Sequence, residues 1–96
     1  MFIHAVLFGI KPKEVAAYRK DSLIWARQAR KARGFVAYYT MRRFGYKQQY
    51  ASVYAWKLKY NHDHFMKKYH GWLVAKPKAK VKVLGYYNLR AIDLIR

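Results

Sequence analysis

Runs of β-forming residues bracket two stretches in which apolar residues recur at helical spacing. Residues 2–10 (FIHAVLFGI) predict a first strand. Pro12 follows where a first helical turn tolerates proline. Over 13–33, at about 100° per residue, Val15, Tyr18, Ser22, Trp25, Ala26, Ala29 and Ala32 share one stripe. Arg19, Lys20, Arg27, Arg30 and Lys31 gather on another sector, while Leu23 and Ile24 fall outside the stripe. Gly34 is placed to close this helix as a C-cap glycine. FVAYYTMRR (35–43) predicts a second strand, FGYK (44–47) a turn, and QQYASVYAWKLK (48–59) a third strand. Asn61 is placed to cap a second helix over 62–75. Asp63 would then stand in the first turn, where a negative charge suits the dipole. Pro77 bars continuation, and 81–95 reads as a last strand, bent at Gly85.

The resulting order, β-α-β-β-α-β, is the ferredoxin-like arrangement of the α+β class, a four-stranded antiparallel sheet with two helices on one face. A length of 96 residues fits one domain spanning 1–96. The middle strands are apolar on both faces. Phe35, Ala37, Tyr39 and Met41 lie on one side of the second strand, Val36 and Tyr38 on the other. In the third strand Tyr50, Tyr54, Trp56 and Leu58 oppose Ala51, Val53 and Ala55. A sheet with one wet face should alternate, and two helices cover only one face. The cheapest cover for the other is a second copy of the same sheet, so a homodimer is expected.

The stretch NHDHFMKKYHGW (61–72) concentrates candidate chemistry. With Phe65 as reference, Tyr69, Trp72 and Leu73 form the buried stripe of the second helix. His62 falls on the stripe's side at the helix start, His64 on the opposite side, and His70 on the flank. These rings diverge, whereas a helical metal pair needs i, i+4 spacing. No metal site is expected. His62 and His70 remain as candidate bases facing a pocket, and His4, among apolar residues of the first strand, is either a satisfied core ring or a further pocket residue.

Charge changes the picture most. Twenty-one Lys and Arg face only Glu14, Asp21, Asp63 and Asp93, a formal net charge of +17. Such a field attracts polyanions without specificity. Selection for an anionic partner and deliberate recharging of an ordinary surface are both consistent with it. There is no cysteine, which removes disulfides and thiolate metal sites. The apolar start lacks a basic n-region and a cleavage site, and no apolar run approaches the roughly 18–20 residues that span a bilayer. A cytoplasmic protein without membrane insertion is the expectation.

IKPKEVAAYRKDS, RGFVAYYTMRR and YASVYAWKLK with HDHFMKKYH, taken with the element order, resemble the dimeric α/β-barrel superfamily, nearest to the antibiotic biosynthesis monooxygenase family. The resemblance implies two protomers packed sheet on sheet, with a pocket between each sheet and its helices. It also implies cofactor-free oxidation of polyphenolic compounds or, in one branch, haem breakdown. Trp56 matches the tryptophan common before the second helix, but Ala55 and Lys57 stand where an acid often does. The haem-degrading branch needs an asparagine on strand one and a histidine late in helix two. Here strand one carries His4, and Ala75 and Lys76 occupy the late positions, which disfavours haem. The function expected is binding, and oxidation, of a small aromatic compound. His62 or His70 would be the base, Trp56 and Trp72 the walls, Tyr54 an orienting group, and His4 and Tyr69 further contacts. The alternatives are a non-catalytic basic scaffold and an RNA-recognition module suggested by RGFVAYYT (33–40), a signature that belongs on a third strand rather than a second.

Overall fold

The computed structural model describes residues 1–75 and 79–96, and the backbone alone for 72–74. The order is β1 (Phe2–Gly9), a 3-10 turn (Pro12–Glu14), α1 (Val15–Arg30), β2 (Phe35–Arg42), β3 (Gln49–Trp56), α2 (Lys59–Val74) and β4 (Lys82–Arg90). The strands form one antiparallel sheet in the order β2-β3-β1-β4. Tyr18 of α1 bonds Ser52, and Phe65 of α2 packs on Trp56. Ser52 and Trp56 are an even number of residues apart on β3, so both helices cover one face. The ferredoxin-like α+β fold expected from the pattern is the fold observed.

The differences lie at element ends and have local causes. The second helix starts at Lys59, not 62. Asn61 sits inside its first turn, and its Oδ1 accepts the N–H of Leu58 at 3.2 Å, the returning half of a capping box. The first helix ends at Arg30, where the N–H of Lys31 donates to the carbonyls of Ala29 and Gln28. Gly34 is therefore not its C-cap but the joint between helix and strand. Its φ is +83°, a Cβ there would collide with the Asn61 side chain, and its carbonyl accepts Lys57 N–H at 2.8 Å. Pro77, expected to stop the second helix, lies outside the described residues. The third strand ends at Trp56 rather than 59, and the last strand ends at Arg90 rather than 95. The bend expected at Gly85 coincides with a register shift, because Leu7 faces Gly85 while Phe8 faces Val83.

A second shift, between Phe35 and Ala37, corrects the face assigned to Phe35. The extra residue rotates Phe35 toward the helices, where its ring meets Trp56 edge-on with centroids 5.7 Å apart. Phe2, Ala29, Trp56 and Phe65 form the core cluster, and Trp56 is 1% exposed. The other face is open. Three rows cross all four strands there: Tyr39–Val53–Ala5–Tyr87, Met41–Ala51–Leu7–Gly85 and Ala37–Ala55–Ile3–Leu89. None carries a charge, and Tyr39, Met41, Tyr87 and Leu89 are exposed.

Candidate functional site

The covered face is not filled by side chains. A cavity of about 460 Å³ lies between the sheet, the two helices and residues 79–83. That is within the range of small-molecule pockets, roughly 300–1,000 Å³. The ladder decides who meets there. Tyr54, His4 and Asn88 are opposite one another on β3, β1 and β4, and Ser52, Val6 and Tyr86 form the next row.

One end is built from imidazoles. His62, from the first turns of α2, places its ring 4.7 Å from that of His4, 5.2 Å from Phe2 and 6.3 Å from Trp56. Its Nδ1–H donates to Asp63 Oδ1 at 2.9 Å. A carboxylate only accepts, so the proton sits on Nδ1, and Nε2 keeps its lone pair. Nε2 is buried and has no hydrogen-bond partner among the described residues. Burial holds the His62 pKa below its ordinary value; the bond to Asp63 opposes this and the His4 charge adds to it. Asp63 is itself held low, first by the bond from Lys59 at 2.6 Å and then by His62. His4 Nδ1 bonds Asn88 Oδ1 at 2.8 Å, and its ring stacks toward Tyr86.

The other end is built from hydroxyls. Tyr18 OH lies 2.6 Å from Ser52 Oγ, Tyr38 OH donates to the same oxygen at 3.4 Å, and Tyr38 OH lies 2.7 Å from Thr40 Oγ1. Burial, partly offset by Ser52, pushes the Tyr18 pKa up to about 12. Burial also drives Tyr54 far above the ordinary tyrosine value, so both phenols stay neutral. Between the two ends run apolar walls that include Trp25, Trp56, Phe65 and Met66. The segment at residues 79–80 is tied down by α1 and the residue before it. Asp21 accepts Ala79 N–H at 2.9 Å, and Glu14 accepts Lys80 N–H at 3.0 Å.

Of the residues singled out from the sequence, His4, Tyr54, Trp56, His62 and His70 all line the cavity. His70 is exposed at its rim, and His64 faces out against Tyr60. Tyr69 packs on Phe65 in the core and is not among the lining residues. The Trp72 side chain lies outside the described residues. No group of three or more His, Asp or Glu placed to hold a metal occurs among the described residues. Sequence reasoning missed Asn88, Tyr86, Asp21 and the Tyr18–Ser52 pair. Tyr18 and Ser22 do stand on the predicted stripe, but a stripe position reads as core until the ladder register puts Ser52 beneath it.

No family model and no curated protein matches the sequence. Solved structures do match in fold. MupZ from Pseudomonas fluorescens superposes with a TM-score of 0.75 at 9% identity over 91% of this chain, which spans 65% of that protein. SnoaB, a cofactor-independent oxygenase from Streptomyces nogalater, gives a TM-score of 0.73 at 12% identity, covering 98% of this chain and 95% of that one. The haem degrader MhuD from Mycobacterium tuberculosis, with two haems in its active site, gives 0.75 at 11% identity over 100% of both chains. Proteins from Deinococcus radiodurans and Nitrosomonas europaea, described provisionally as antibiotic biosynthesis monooxygenases, also match. The chain thus has the ferredoxin-like fold of the antibiotic biosynthesis monooxygenases. Among the described residues no helix is long and apolar enough to cross a membrane.

Proposed function

We propose that this chain binds a small planar aromatic compound in the cavity and oxidises it without a cofactor. The observation that carries the proposal is His62: a neutral imidazole, oriented by Asp63, whose buried Nε2 has no partner among the described residues. A phenol hydroxyl reaching Nε2 from the cavity would be that nitrogen's first hydrogen bond. Its proton would pass to Nε2, and the phenolate left behind would give an electron to dioxygen, the oxidant. Recombination of the ring radical with superoxide at a C–H position of the ring forms a C–O bond, the resulting peroxide takes the proton back from Nε2, and its O–O bond breaks with loss of water to leave a ring carbonyl. His70, at the rim, is the weaker of the two candidate bases, and Tyr54 and Trp56 hold the ring. SnoaB supports the cofactor-free reading on the same fold. The donor set fits haem poorly: the His62 ring is packed among Phe2, His4 and Trp56.

Oxygen uptake with a panel of hydroquinones tests this. His62→Gln should lower the rate by roughly 10²-fold or more, while His64→Gln, on the outer surface, should not. No uptake by the wild type across the panel would end the oxidation reading. We further propose that the 96 residues act as one unit and pair with a second copy through the open face. A second reading, polyanion binding, rests on the charge of +17 and on Arg19, Lys20 and Arg27, which line a shallow groove on α1. Binding that persists with scrambled sequences and disappears at moderate salt would mark it as unspecific.

A further inference from the structure

The turn between β2 and β3 has no part in the cavity, yet it joins charge to apolar surface. Arg42, Arg43 and Lys47 flank Phe44, which is 88% exposed and meets no other ring among the described residues. The ladder gathers further cations at this end of the sheet. Gly9, the last residue of β1, faces Gln49 on one side and Lys82 on the other. The Arg43 N–H donates to the Gln49 carbonyl at 3.0 Å. Lys11 after β1, and Lys80 and Lys82 at the entry to β4, therefore stand at the same end as the turn, all exposed. Acids do not answer them. Asp63 and Asp93 follow the far ends of β3 and β4. The carboxylates of Glu14 and Asp21 are turned onto the backbone N–H groups of Lys80 and Ala79.

We infer that this end is a docking surface for an anionic phospholipid bilayer, with the Phe44 ring entering the headgroup layer and the cations meeting the lipid charges. The contact is peripheral, and no segment crosses. An apolar apex set among cations has the amphipathic order of an interfacial anchor. The cations come from three connections and spread sideways from β2 to β4, about 14 Å at about 4.8 Å per strand. That spread suits a plane. Single-stranded nucleic acid instead asks for a row of ring faces beside a charged track. Here the Arg43 guanidinium already lies over the Tyr46 ring, 3.9 Å from its centroid. On the open sheet face, where Tyr39 and Tyr87 are exposed, the three rows carry no charge. Attraction to an anionic leaflet fades within a Debye length, about 8 Å at physiological salt. The cations at the turn therefore count, and those at the far end of the strands, roughly 25 Å away, do not. The inference stands independently of the cavity reading.

Cosedimentation at physiological salt with phosphatidylcholine vesicles, with and without about 30% phosphatidylserine, tests it. The wild type should bind the mixed vesicles and not the neutral ones. Arg42→Gln with Lys47→Gln should weaken binding tenfold or more, at about fivefold per cation. Arg33→Gln with Lys57→Gln, the same charge change at the opposite end, should stay within about twofold of wild type. Phe44→Ser should weaken vesicle binding about tenfold and leave binding to scrambled duplex DNA unchanged, while Phe44→Trp should behave as wild type. Equal weakening by the two charge pairs, wild-type affinity in Phe44→Ser, or a wild type that binds DNA but not vesicles would each overturn the docking surface. All the substituted residues are exposed, and matching melting temperatures confirm that the variants are folded.

Discussion

His62 shows what a single residue contributes to both stability and chemistry. Its folded-state pKa lies below the ordinary 6.5 because burial penalises the imidazolium. The unfolded chain therefore binds more protons in the window below 6.5, and stability falls as pH drops through it. His62→Gln should remove that part of the pH dependence, so urea midpoints of wild type and variant should converge between pH 7.5 and pH 5.5. Asp63 works in a lower window: its depressed pKa contributes stability above 3.8 that is lost as pH falls further. Trp56 is the other decisive residue. It is 1% exposed in the core cluster, and Trp56→Ala should cost about 3–5 kcal/mol in chemical denaturation. Both residues stood out in the sequence. The orientation of His62 did not, because a helical wheel shows which way a side chain leaves the axis but not that Asp63 takes its Nδ1 proton or that His4 closes over its ring.

At the scale of elements, the joint at Gly34 ties the end of the first α/β turn to the start of α2. Gly34→Ala forces an L-residue into the left-handed region and pushes Asn61 off Leu58, a combined cost of about 2–4 kcal/mol. Asn61→Ala loses the cap alone, about 1 kcal/mol. Thermal or urea melts should rank them in that order. All six predicted helices and strands are present because their periodicities are strong and local. Their ends were less legible. Asn61 is a good N-cap residue and reads as one, yet it caps from inside the first turn, and only the approach of Gly34 reveals why. Likewise Phe35 obeys alternation in the sequence, whereas a bulge in the ladder, which is a property of two strands together, turns it inward.

At the scale of the whole molecule, the three uncharged rows of the open face are the clearest demand the fold makes on its surroundings. Two copies meeting there would shield Tyr39, Met41, Tyr87 and Leu89 from water. Light scattering after size exclusion should give twice the chain mass, and Tyr39→Glu with Tyr87→Glu should halve it; a wild-type monomer at micromolar concentration would sink the pairing. This demand was legible in the two-sided strands, while the cavity on the other face was expected only through the family resemblance, since pattern alone cannot distinguish a packed interior from a hollow one. The few acids carry a last consequence. Glu14 and Asp21 hold the backbone at Lys80 and Ala79, and Asp63 holds His62, so three of the four carboxylates are engaged at the cavity's frame. Replacing each with lysine in turn should not give a uniform result: Asp93, in the exposed tail, should leave the melting temperature unchanged, and the other three should lower it. The sparse negative charges thus mark where this protein has lost its indifference to sign, and a designer seeking to neutralise its surface is free to add carboxylates widely but not to move these.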